Sequence, residues 1–120
     1  MKVIIADDSK VMRNIIQNAM RPMGTEIIQA GSGQEVFEQL ENHDGKIGAI
    51  FMDWNMPGMT GLDCLKLLKK NEKYKDIPVL MISTESEDDK VSIAKKAGAK
   101  GYLTKPFTNE ELIKFINSSI

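Results

Sequence analysis

Four apolar, strand-like segments of this chain each end in polar side chains that can take part in chemistry. These polar ends are Asp7-Asp8 after KVIIA, Asp53 after IGAIFM, Ser83 after PVLMI and Lys105 after GYLT. Because a parallel sheet places its ligand crevice outside the carboxyl ends of its strands, side chains far apart in the chain would meet at one edge. The pattern therefore predicts one site of three carboxylates, a hydroxyl and an ammonium, which suits a divalent metal and a phosphoryl group.

The length and charge of the chain limit the kind of protein that could carry such a site. Its 120 residues, 42% hydrophobic and 28% charged, fit a single domain over residues 1–120 with a real core. Sixteen basic and seventeen acidic side chains leave a formal charge of −1, which argues against nucleic acid or a membrane surface as the main partner. The N-terminal MKVIIADD turns acidic too early for a signal peptide, and no apolar run is long enough to span a membrane. A cytoplasmic protein is therefore expected.

Apolar runs of strand type alternate with segments of helical periodicity along the whole chain. Strands are predicted at 3–6, 26–30, 47–52, 79–82 and 101–104. Helices are predicted from 11 to 23, from 32 to 42, from 60 onward, from 86 to 97 and from 108 onward. Hydroxyl side chains are expected to cap four of these helices, at Ser32, Thr60, Ser86 and Thr108. Gly98 would end the fourth helix in a left-handed conformation.

Five strands alternating with five helices indicate an α/β fold. Right-handed crossovers between parallel strands place helices on both faces of the sheet, so the strands become apolar throughout, as VIIA and VLMI are. Periodicity does not give the strand order, but the doubly wound, flavodoxin-like order 2-1-3-4-5 is one of two common choices. In that order the first and third strands flank the switch point, and Asp7, Asp8 and Asp53 would share its crevice.

The three aspartates favour magnesium over other metals. Two like charges about 4 Å apart repel by roughly 4 kcal/mol at an effective dielectric constant of about 20, so the group would be strained unless protonated or bound to a cation. Mg²⁺ prefers oxygen ligands and is typically held by one or two carboxylates together with phosphate oxygens. The single Cys64 excludes a cysteine-based zinc site and an internal disulfide, and His43, in the polar stretch NHDG, is expected to be solvated.

Taken together, these residues resemble the receiver domain of two-component response regulators, and in particular the stand-alone chemotaxis regulators. The resemblance covers essentially the whole chain. The matching positions are the acidic pair Asp7-Asp8, Asp53 within DWNMPGMTG, the switch hydroxyl Ser83, the aromatic switch Tyr102 and the pair Lys105-Pro106. Five matches in order, each at or beside a predicted strand end, make the motif set specific.

The resemblance implies a role for each carboxylate. Asp53 would be the nucleophile that attacks the phosphorus of a phosphohistidine or a small acyl phosphate. Asp7, Asp8, Asp53 and the backbone carbonyl of Asn55 would hold Mg²⁺, which would offset the charge on the transferring group. The chain would then be no enzyme in the ordinary sense, since it would catalyse only its own phosphorylation and dephosphorylation.

The resemblance also implies a switch. Lys105 and Ser83 would contact phosphoryl oxygens, and movement of Ser83 would let Tyr102 settle inward, changing the surface of the fourth helix, fifth strand and fifth helix. The family more often has threonine at the serine position. Lys105-Pro106 is expected to contain a cis peptide, as in the family.

Partners and lifetime follow from the same resemblance. Asn55 and Glu85 match determinants of phosphoryl lifetime and predict dephosphorylation within seconds to minutes. The implied partners are a CheA-like sensor histidine kinase, a downstream target such as a flagellar switch component and a phosphatase, with the protein itself a monomer. Because the sequence stops at Ile120, directly after the fifth predicted helix, output is expected to pass through another protein rather than an attached domain.

Three other functions remain open at this stage. A flavodoxin-like electron carrier shares the fold but would need a hydroxyl- and glycine-rich loop where DDSK stands. A phosphatase of the haloacid dehalogenase type would place its aspartyl nucleophile in a DxD pattern after the first strand, which DDS breaks. The closest alternative is a single-domain phosphorelay intermediate that passes phosphate to a histidine phosphotransfer protein.

Overall fold

The computed structural model of the chain describes residues 1–119, in which five strands alternate with five α-helices. The strands are β1 (Lys2–Ala6), β2 (Glu26–Ala30), β3 (Ala49–Met52), β4 (Val79–Ser83) and β5 (Gly101–Thr104). The helices are α1 (Lys10–Met20), α2 (Gly33–Asn42), α3 (Gly61–Lys70), α4 (Asp88–Lys96) and α5 (Asn109–Ser119). Within this range no helix has both the length and the apolar composition needed to cross a membrane.

All five strands run parallel in one sheet of order β2-β1-β3-β4-β5, which confirms the predicted doubly wound fold. Ala6, the last residue of β1, lies opposite Met52, the last residue of β3. The backbone amide of Asp53 donates a hydrogen bond of 2.9 Å to the carbonyl of Ala6. Asp7 and Asp53 therefore leave the sheet side by side.

The register of the last two strands brings a second pair of residues to the same edge. Ser83, at the end of β4, is paired with Thr104, at the end of β5. The amide of the next residue, Lys105, donates a hydrogen bond of 2.8 Å to the carbonyl of Ser83. The ends of β4 and β5 thus place a hydroxyl and an ammonium beside the aspartates.

Helices cover both faces of the sheet and bury two apolar layers. Under α1 and α5 the layer contains Val3, Ile5, Ile16, Met20, Phe51, Leu80, Ile82, Leu112 and Ile116. Under α2, α3 and α4 it contains Ile4, Val36, Leu40, Ile50, Met52, Cys64, Leu65, Leu68, Met81 and Ala94. Each fully buried aliphatic side chain stabilises the fold by about 1.5–3 kcal/mol relative to exposure. The central strands are therefore held from both sides.

The end of the first helix and the start of the third strand differ from the prediction by two residues or more. Helix α1 stops at Met20, and Arg21–Met23 continues as a 3-10 turn that ends at Gly24 with φ of +67°. The reason is Pro22, which has no amide hydrogen to donate within an α-helix. Strand β3 begins at Ala49 and not at residue 47.

The helix caps agree with the prediction at three of four positions. Ser32 and Thr60 accept hydrogen bonds from the amides three residues on, at 3.2 and 3.1 Å, and Thr108 exchanges such bonds with a glutamate. The prediction that Ser86 caps α4 is wrong. Glu87 is the N-cap instead, because its carbonyl accepts the first helical hydrogen bond, of 3.0 Å, from the amide of Val91. The side chain of Glu87 makes no cap bond.

Candidate functional site

Three carboxylates converge at the carboxyl edge of the sheet, where β1 and β3 end. Asp7, Asp8 and Asp53 each offer an oxygen, and these oxygens lie within 4.8 Å of one another. Asp7 and Asp53 are only 2% and 6% exposed, whereas Asp8 faces solvent. The pairing of Ala6 with Met52 causes this convergence, because both strands end at the same level of the sheet. The predicted acidic trio therefore forms a single cluster.

Lys105 enters the cluster from the end of β5. Its Nζ lies 2.7 Å from Oδ2 of Asp7 and 3.5 Å from Oδ2 of Asp53. The backbone amide of Ser9 donates a further bond of 2.8 Å to the other oxygen of Asp7. The peptide bond between Lys105 and Pro106 is cis. With all four groups ionised, the cluster keeps an excess of two negative charges.

Asp53 is the least satisfied group of the cluster. Among the side chains of residues 1–119, its Oδ1 is a buried oxygen without a hydrogen-bond partner. Burial raises the pKa of this carboxyl; the Lys105 ammonium opposes that shift, and the negative charge of Asp7 adds to it. A buried carboxylate with a free oxygen can act as a nucleophile or as a metal ligand.

A glycine at the start of α3 lies directly against the backbone of Asp53. Gly61, the first residue of α3, donates its amide to the carbonyl of Trp54 at 2.7 Å. A Cβ at this position would lie 2.0 Å from the backbone carbonyl oxygen of Asp53. Only glycine lets the loop return this close to the strand end. The sequence signal was the glycine that closes DWNMPGMTG.

The donor set of the cluster fits a hard divalent cation. All candidate ligands are carboxylate oxygens, one of them buried without a partner, and the exposed Asp8 leaves the site open to solvent. Mg²⁺ binds through such oxygens and keeps several of its waters. Asn55, whose backbone carbonyl is a predicted ligand, is exposed on the loop two residues after Asp53.

The predicted switch residues meet through the backbone of Glu85. Ser83 is fully buried, and its hydroxyl accepts a hydrogen bond of 3.2 Å from the amide of Glu85. The hydroxyl of Tyr102 donates to the carbonyl of the same residue. Tyr102 is half-buried, and this burial is the main cause of its raised pKa. One peptide segment therefore links the buried hydroxyl to the aromatic ring.

A polar bridge spans the mouth of the site, which is the gap between the loop after β3 and the loop after β4. The carboxylate of Glu85 lies 3.5 Å from the side-chain amide of Asn55 and 2.9 Å from Nζ of Lys90. The same Nζ lies 6.0 Å from the ring centroid of Trp54. The hydrogen bond from Lys90 lowers the pKa of Glu85, and in return Glu85 raises that of Lys90. Lys90 was missed from the sequence, because no helical spacing links it to Trp54 or Asn55.

Two residues weighed as metal ligands lie outside the cluster. His43 is half-buried, not fully solvated, and its Nδ1 lies 3.3 Å from Nζ of Lys2 at the opposite, amino edge of the sheet. Cys64 is fully buried in the layer under α3, and burial raises the pKa of its thiol to about 12. Cys64 therefore packs as a small apolar residue.

Comparison with known proteins agrees with this geometry. The sequence model of the response regulator receiver domain family matches residues 3–117. Two similar proteins are the chemotaxis protein CheY of Pseudomonas aeruginosa, 42% identical over 93% of this chain and 90% of its own length, and CheY1 of Helicobacter pylori, with the same identity and coverage.

Solved structures give the same result. CheY4 of Vibrio cholerae superposes with a TM-score of 0.87 at 33% identity, covering 99% of this chain and 98% of that one. A chain of the CheX–CheY–BeF3–Mg2+ complex from Borrelia burgdorferi superposes with a TM-score of 0.89 at 28% identity, covering 98% and 87%. The acidic cluster thus belongs to a chain that is similar to CheY proteins in both fold and sequence. The chain belongs to the response regulator receiver domain family.

Proposed function

We propose that this protein is a phosphorylation-activated signalling switch that accepts a phosphoryl group on Asp53 from a sensor histidine kinase. The observation that carries the proposal is the free, buried Oδ1 of Asp53 inside a cluster of carboxylates and one lysine. Family membership supports it, since phosphorylation-driven switching is the general function of receiver domains. We further propose that residues 1–120 act as one receiver domain.

The transfer step follows from the positions of the side chains. A carboxylate oxygen of Asp53 attacks the phosphorus of a phosphohistidine, the P–N bond breaks, and its electron pair returns to the imidazole, leaving an aspartyl phosphate. Lys105, already 3.5 Å from Asp53, is placed to neutralise charge on the phosphoryl group. Asp7, Asp8, Asp53 and the Asn55 carbonyl would hold Mg²⁺, which supplies further neutralisation of that charge.

The same contacts suggest how the signal leaves the site. Ser83 now accepts a bond from the Glu85 amide, and its hydroxyl proton is free to be donated to a phosphoryl oxygen. Turning toward that oxygen would disturb the segment whose carbonyl holds the Tyr102 hydroxyl. The surface formed by α4, β5 and α5 would then exist in two states that a partner can distinguish.

The proposed partners rest on the relatives. A CheA-like kinase would supply the phosphoryl group, and a flagellar switch component would be the target, because relatives at 42% identity are chemotaxis proteins. A phosphatase is a further proposed partner, and the protein would act as a monomer in the cytoplasm. Hydrolysis returns the switch to its resting state: water attacks phosphorus, the bond to the Asp53 oxygen breaks, and phosphate leaves. Asn55 and Glu85, at the mouth of the site, would set the rate of this step.

The experiment that tests this function is phosphorylation of Asp53→Asn by acetyl phosphate with Mg²⁺, followed by intact-mass spectrometry. Wild type is expected to gain one phosphoryl group and Asp53→Asn none, because the amide is a poor nucleophile. Asp63→Asn, which changes an exposed aspartate of α3, is the matched control and should label normally. Normal labelling of Asp53→Asn would move the acceptor elsewhere.

A further inference from the structure

Lys90 joins three parts of the molecule at the mouth of the site. It belongs to the first turn of α4, yet its Nζ lies 2.9 Å from the carboxylate of Glu85 on the β4–α4 loop. It also lies 6.0 Å from the ring centroid of Trp54, the residue after Asp53. The other carboxylate oxygen of Glu85 faces the Asn55 amide at 3.5 Å. Lys90 therefore binds the β4–α4 loop through its ion pair with Glu85, and Glu85 in turn reaches Asn55 on the loop after Asp53.

The start of α4 has few other attachments. Its N-cap, Glu87, makes no side-chain cap bond, and Ala94 is the buried residue of the helix. Ile93 is 44% exposed. Neither a side-chain cap nor a buried apolar residue holds the first turn, but the ion pair of Lys90 with Glu85 joins this turn to the loop that follows the buried Ser83.

We propose that Lys90 is a positioning residue that holds the Glu85 carboxylate against Asn55 and so limits the access of water to the phosphoryl group on Asp53. The proposal rests on the proposed function, since it concerns the lifetime of the aspartyl phosphate. Hydrolysis requires water to approach phosphorus opposite the Asp53 oxygen that leaves. A side-chain bridge over the mouth restricts that approach, and removal of the ammonium releases the bridge.

The test is the rate of phosphate loss after the phosphodonor is removed, measured for Lys90→Met. Methionine keeps the apolar length of the side chain beside Trp54 but removes the charge and the hydrogen bond. Since exposed ion pairs contribute modestly, hydrolysis should accelerate about two- to fivefold. Lys90→Arg, which keeps a cation, should restore the wild-type rate. Lys96→Met, at an exposed lysine in the last turn of α4, is the control for charge and should leave the rate unchanged.

A double-mutant comparison separates positioning from a general effect on the helix. In a Glu85→Ala background, Lys90→Met should cause no further acceleration, because Lys90 acts through the missing carboxylate. The proposal would be overturned if the effects of the two substitutions on the rate of phosphate loss multiplied, or if Lys90→Met alone lost phosphate at the wild-type rate. In the metal-free protein, Lys90→Met should also shift the NMR signals of the Asn55 side-chain amide. If wild type takes up no phosphoryl group at all, the proposed function fails, whereas normal uptake with an unchanged lifetime overturns only the role of Lys90.

Discussion

The two sides of the site are built differently. The aspartate side stands on β1 and β3, whose residues are buried between two helical layers, and is backed by α3, which buries Cys64, Leu65 and Leu68. The switch side stands on β5, which is half-buried along its length, and on α4, in which Ala94 is the buried residue. Reactive charges are thus held by well-packed elements, whereas α4 and β5, two of the three elements proposed to respond, bury few residues. Low local stability is what a moving surface requires.

The contrast has a chemical reason. Catalytic groups that repel one another must be held in place by packing, because their own interactions favour separation. A signalling surface instead needs two arrangements that differ by only a few kcal/mol, which a deeply packed helix would prevent. Lys105 connects the two sides, since it leaves β5 and ends between Asp7 and Asp53.

The largest expected effect comes from comparing a buried leucine of α3 with an exposed isoleucine of α4. Leu65→Ala, on the fully buried face of α3, should lower the free energy of unfolding by about 2–5 kcal/mol, because it leaves a cavity under the sheet. Ile93→Ala, on the exposed side of α4, should cost less than about 1 kcal/mol. Urea unfolding followed by circular dichroism measures both, and equal costs would remove the distinction between the two sides.

A smaller effect should come from the aspartate charge itself. Burial raises the folded-state pKa of Asp53 above its unfolded value, so its charged form destabilises the fold at pH above the folded pKa. In the absence of divalent cations, Asp53→Asn should therefore be more stable than wild type at neutral pH, because the amide carries no buried charge. This advantage should shrink as the pH falls through the folded pKa, because the wild-type carboxyl then becomes neutral too.

Thermal unfolding in chelator across pH measures this difference. Asp63→Asn serves as the control, since an exposed carboxylate should give no such pH-dependent gain. If Asp53→Asn were less stable than wild type at neutral pH, the attraction between Lys105 and Asp53 would outweigh the cost of burying the Asp53 charge.

The fold and the members of the acidic cluster could be predicted because they depend on local patterns. Apolar runs located the strands, and parallel pairing brings their ends together wherever they stand in the chain. The strand order required a choice between two common arrangements, since periodicity carries no register. The switch roles of Ser83 and Tyr102 came from resemblance, not from residue chemistry, and stay predictions.

What the sequence did not reveal depends on side-chain directions. The cap of α4 was assigned one residue too early, at Ser86, because a hydroxyl before an acidic turn has the same pattern whether or not it caps. The position of Lys105 closer to Asp7 than to Asp53 is a difference of 0.8 Å that no motif specifies. Lys90 stands where a loop meets a helix, and neither helical nor strand spacing describes that junction.

Carboxylates from the ends of β1 and β3 are proposed to bind one Mg²⁺ together. The fluorescence of Trp54, which is half-buried beside Asp53, can measure this binding directly. Titration of wild type with Mg²⁺ should change its fluorescence saturably, and beryllofluoride should change it again. Asp8→Asn, which alters the carboxylate at the end of β1, should weaken Mg²⁺ binding about tenfold or more, because the site loses one of its charged oxygen ligands. A flat titration of wild type, or equal affinity in Asp8→Asn, would contradict a single metal and phosphoryl site shared by β1 and β3.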